Sequence, residues 1–139
     1  MVFGFGKKKE ESGNMKEMVE TLASLSDAER KAIMGSRLKG FASMPDGERK
    51  NAMKMMLDAA TELPQAQYKK LCSARLAVLM GLSSSDQEKL MKTHMVALQE
   101  LPKQKQMKDM ETTKECLIEL PRNAREMMMQ KMAKMGMKM

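Results

Sequence analysis

Twenty of the 139 residues are methionine, and this is where the sequence concentrates its chemical potential. A thioether is apolar, flexible and polarisable, so it fills irregular gaps and repacks around different partners. Its sulfur is also a soft ligand that suits Cu(I). Met34, Met53, Met91, Met110 and Met129 recur at one spacing and read as core packing. The tail differs: Met127, Met128, Met129, Met132, Met135, Met137 and Met139 are too many for one core, so part of that surface is expected to be exposed. Two stronger potential metal ligands accompany the sulfurs. His94 lies beside Met91 and Met95, and Cys72 is one of two widely separated cysteines, so Cys72, His94, Met91 and Met95 form a candidate Cu(I) set.

Cationic residues also recur in register. Arg37 and Arg75 hold one position, and Lys31, Lys50 and Lys69 another, so packed helices would align them into stripes. Such stripes read either as a solvated face or as a docking surface for an acidic segment. The candidate partner-binding set is Arg37, Arg75, Lys31, Lys69, Met127, Met128, Met132 and Met135. The start, VFGFGKKK, pairs two phenylalanines with three lysines, and residues 1–9 are a candidate for weak contact with anionic lipid.

The formal net charge of +7 permits nucleic acid, anionic lipid or acidic protein as partner. Aromatic residues make up only 3%, which leaves few stacking platforms and argues against nucleic acid. There is no Gly-rich phosphate loop, no HExxH and no GxSxG, so the reading is non-catalytic. Cys72 and Cys116 form no CxxC and read as reduced thiols of a cytoplasmic protein. No apolar run approaches the ~20 residues of a membrane span, and the start lacks the apolar region of a secretory signal.

These side chains must be positioned by helices. Met, Leu, Ala, Lys, Glu and Gln dominate, whereas Val, Ile, Thr and aromatic residues are sparse, so the fold class is all-α. Boundary pairs fall at Leu25-Ser26, Met44-Pro45, Leu63-Pro64, Leu82-Ser83, Leu101-Pro102 and Leu120-Pro121, each 19 residues after the last. Proline is tolerated at the start of a helix and pushes the preceding residue out of the α region, so Leu-Pro ends one helix and begins the next. Serine replaces proline as a cap, and both Ser26-Asp27-Ala28-Glu29 and Ser85-Asp86-Gln87-Glu88 fit a capping box.

Apolar residues recur 8, 12 and 15 positions after the boundaries, as at Met34, Leu38 and Phe41, the +12 position lapsing at Lys114 and Ala133. Those steps mark one helical face, and each repeat is expected to be one amphipathic helix of roughly 14–16 residues. Repeats fall near 26–44, 45–63, 64–82, 83–101, 102–120 and 121–139, inside one domain from 15 to 139. Residues 1–14 are expected to be disordered. Net charges of +2, −1, +3 and −1 over the first four repeats suggest a 38-residue double repeat, with helices pairing as antiparallel hairpins. Stacking would give an α-solenoid; a closed helical bundle is the alternative.

The Leu-Pro rhythm across residues 25–139 resembles the superhelical modules of MgtE magnesium-transporter N-terminal domains and of flagellar motor switch proteins. The Met-rich basic tail is similar in composition to the signal-peptide-binding domain of the signal recognition particle, whose fold does not use a 19-residue repeat. Both are likenesses of rhythm or composition, and no functional residue carries over. The leading expectation is therefore a helical-repeat adaptor binding a protein partner, with self-association possible. A Cu(I)-binding or storage protein and a chaperone for hydrophobic segments are the alternatives.

Overall fold

The computed structural model describes residues 8–136, with the side chains of 8–13 left aside. The expected lipid contact of residues 1–9 and the sulfurs of Met137 and Met139 lie outside the side chains described. The described residues are all-α, in seven helices: α1 (Lys8–Ser24), α2 (Asp27–Ala42), α3 (Asp46–Ala60), α4 (Gln65–Met80), α5 (Ser84–Gln99), α6 (Lys103–Glu119) and α7 (Arg122–Lys134). The first begins at Lys8, within the stretch expected to be disordered, and continues without a break through the expected start at Met15. None of the described helices is long and apolar enough to cross a membrane.

From α2 onward each helix starts 19 residues after the last, and the cause is local. The residue before each start, Ser26, Pro45, Pro64, Ser83, Pro102 or Pro121, has φ between −54° and −65° and ψ between 148° and 160°. Proline's ring imposes that φ, and the extended ψ turns the chain between helices. The prolines thus sit at the N-cap, one residue before the first helical position. Ser26 makes the expected capping box with Glu29. The box expected at Ser85 is not the one formed. Ser83 is the cap, its hydroxyl accepting from the Asp86 backbone N–H at 3.1 Å.

Helices two apart in sequence pack side by side: α1 on α3, α3 on α5, α2 on α4 and α4 on α6. Gln65 Nε2 donates to Thr112 Oγ1, and one turn later Cys116 Sγ donates to the Lys69 carbonyl. Moving one turn along α4 moves one turn the same way along α6, so these two helices run parallel. The apolar register fills the core, with Met34, Met53, Cys72 and Met91 buried at +8, and Phe41, Ala60, Leu79, Leu98 and Leu117 buried at +15. It fails at Met110 and Met129, both exposed at +8.

Candidate functional site

One buried carboxylate organises the polar side chains of the interior. Asp109, on α6, is 3% exposed. Its Oδ1 accepts from the Tyr68 hydroxyl and lies 3.5 Å from Arg75 Nη1; its Oδ2 lies 2.9 Å from His94 Nε2. Three helices converge on it: α4 brings Tyr68 and Arg75, α5 brings His94, and α6 brings Asp109 itself. Arg75 Nη2 also donates to Thr113 Oγ1 at 3.1 Å.

Burial alone would raise the Asp109 pKa. The adjacent His94 and Arg75, with hydrogen bonds from His94 and Tyr68, outweigh it and hold the carboxyl well below its usual range. Burial likewise opposes the Arg75 charge, but the field of Cys72, Asp109 and Tyr68 raises its pKa. Burial, reinforced by Asp109, pushes the Tyr68 phenol well above its ordinary value. Burial pushes the Cys72 thiol up to about 12 and raises Cys116 as well.

Asp109, Arg75, His94 and Thr113 of this cluster line a cavity of about 250 Å³. Its walls carry Met53, Met91, Met95, Met110, Met128 and Met132, with Leu38, Leu76, Leu79, Leu90 and Leu98. Arg75, His94, Gln99, Gln106, Asp109 and Thr113 supply the polar lining. An apolar wall with a few convergent polar groups is the usual make-up of a ligand site. The cavity is lined from α2 to α7, most heavily by α5 and α6, with Met128 and Met132 contributed by α7. Lys131 ties α7 to the first turn of α5, donating to Ser84 Oγ at 2.7 Å and lying 3.6 Å from Glu88. Beyond that turn, Met91, His94, Met95 and Leu98 line the cavity. A smaller adjoining cavity of about 40 Å³ reaches Cys72, His94, Met34, Met53 and Met56.

The structure brings together some of the residues singled out in the sequence and separates others. Arg75, Met128, Met132, Met91, Met95 and His94 share the larger cavity, and Cys72 reaches only the smaller one. Met128 and Met132 are buried, Met135 is half-buried against the core, and Met127 is exposed on α7. Lys31 and Lys69 flank a different recess between α2 and α4. Lys69 there pairs with Glu119 at 2.6 Å and Glu115 at 3.6 Å. Arg37 is on α2, where burial lowers its pKa.

Sequence reading passes over Asp109, Tyr68 and Thr113. An aspartate at 109 breaks no motif, and its significance depends on α4 and α5 closing around it. One signal was available: Asp109 immediately precedes an apolar register position, where exposed charge is not expected. No family model matches the chain, and no curated protein and no solved structure matches it.

Proposed function

We propose that the chain is a non-catalytic helical-repeat adaptor that receives an apolar helical segment of a partner protein in the Met-lined cavity walled chiefly by α5 and α6, with α7 at one side. Its 19-residue single-helix repeats pair into 38-residue units and stack as an α-solenoid. The recurrence of helix starts every 19 residues and the side-by-side packing of alternate helices support this architecture. One observation carries the functional reading: six methionine side chains line a single open cavity whose walls are helices. Flexible thioethers repack around varied apolar side chains, and helical walls suit a helical guest. Arg75 and the glutamines at the cavity give the guest polar contacts that fix its position.

The test is a pull-down from native extract, followed by titration of the captured partner's apolar segment as a synthetic peptide. The control bait carries Met95→Glu and Met110→Glu. Neither side chain is fully buried, so the fold tolerates the change. The peptide is expected to bind the normal protein and to lose at least about tenfold in affinity for the control, since each glutamate must be desolvated against an apolar guest. Equal binding by both baits would remove the groove from the function.

A further inference from the structure

We propose that the same cavity holds a single Cu(I) ion, ligated by His94 Nδ1 and the thioethers of Met91, Met95 and Met110. Met91, His94 and Met95 are spaced i, i+3 and i+4 on α5, which places them on one helical face. All three line the cavity, and Met110 enters it from α6, one residue after the aspartate that His94 touches. His94 Nε2 lies 2.9 Å from Asp109 Oδ2, and a carboxylate against one ring nitrogen favours the tautomer that donates from that nitrogen. In the neutral ring this leaves Nδ1 with a lone pair. A carboxylate that fixes the tautomer of a ligating histidine is the usual outer partner of such a ligand.

The donor chemistry selects the metal. Among the described residues no three of His, Cys, Asp or Glu gather as a group that could hold a metal ion. The sulfurs offered at this cavity are neutral thioethers, which favour Cu(I) and give Zn(II) little. Binding displaces no proton from a thiol, so it does not require Cys72, which lies on the smaller cavity. This site does not depend on the adaptor reading.

The experiment is an anaerobic titration of the full chain with Cu(I) against a chromophoric chelator of known affinity. Ag(I) serves as a redox-inert substitute, followed through the methionine methyl resonances. One equivalent is expected to bind, with the methyl signals of Met91, Met95 and Met110 shifting. Met91→Leu, Met95→Leu and Met110→Leu, made together, keep volume and apolarity and so the fold. They are expected to lower affinity by about tenfold or more per ligand, on the scale seen when metal sites lose conserved partners. His94→Gln is expected to act likewise. Met135→Leu, Met137→Leu and Met139→Leu, which alter the low-complexity tail instead, are expected to leave affinity unchanged. Undiminished binding by the triple leucine variant at the cavity, or loss of binding by the tail variant, would overturn the site. A chain that takes up no Cu(I) in competition would do the same.

Discussion

At the residue scale the decisive group is Asp109, because three side chains from two other helices depend on its charge. A buried ion pair contributes little net stability when made but costs about 3–5 kcal/mol when one partner is removed. Asp109→Asn is therefore expected to lower the free energy of unfolding by about that amount at pH 7, measured by urea denaturation. Replacing both partners, as Asp109→Leu with Arg75→Met, is expected to recover most of the loss. The pH dependence follows from the sign of the shift. The folded pKa lies below the unfolded value of about 3.9. The contribution is thus complete above that value and disappears as the pH falls below it toward the folded pKa. Wild type is expected to lose stability over this acid range, and Asp109→Asn to lose less. Cys72 gives a second prediction of opposite sign. Its folded pKa of about 12 lies above that of an unfolded thiol, so folding suppresses the thiolate. Alkylation of Cys72 by iodoacetamide at pH 8 is expected to be slow in the native protein and rapid in urea. Equal rates would show that the burial is wrong.

At the element scale, what recurs most usefully is a polar position four residues after each cap: Arg30, Arg49, Tyr68, Gln87, Gln106 and Arg125. Five of the six reach back to carbonyls at the end of the preceding helix or in the joint that follows it. Arg30 Nε donates to Leu22 O at 2.9 Å, Arg49 Nη1 to Met44 O at 2.8 Å and Gln87 Nε2 to Leu79 O at 2.8 Å. Gln106 and Arg125 do the same toward Leu101 and Ile118. Carbonyls at a helix end lack the full set of intrahelical partners, so these side chains add a second donor to some of them, such as Leu22 and Leu79, and tie each helix start to the joint before it. Arg30→Met keeps the apolar stem and removes the donors. It is expected to cost about 2–3 kcal/mol by thermal or urea denaturation, whereas Arg125→Met, at a more open joint, is expected to cost under about 1 kcal/mol. Similar losses at both sites would refute the joint argument. The rhythm of helices was legible because proline and apolar spacing act locally, within one helix. The +4 position was not, because Arg, Tyr and Gln share no charge or hydropathy, only reach and a donor. The same limit hid the cavity: Met110 occupies a core register position yet is exposed and lines the cavity.

At the scale of the whole molecule, the packing order predicts how stability is distributed. α3 is flanked by α1 and α5, and α4 lies between α2 and α6 while also meeting α1. α7 packs on α6 and is tied to α5 through Lys131, with Met128 and Met132 as its buried anchors. In an array where each unit leans on its neighbours, an outer helix opens at lower cost than an inner one. In a closed bundle, α7 would exchange together with the rest. Native-state hydrogen exchange is therefore expected to show α7, residues 122–134, exchanging well before α3, α4 and α5. Uniform protection across α2–α7 would favour the bundle. The same measurement bears on function. The wall expected to open first, α7, carries Met128 and Met132 of the cavity lining. A guest seated in the cavity against α7 must bind the closed arrangement in preference to the open one, and preferential binding raises protection in proportion to occupancy. Added apolar peptide should thus slow exchange in α7 and in the second half of α5 and leave α2 unchanged. A slowing spread evenly over all helices would place the guest elsewhere.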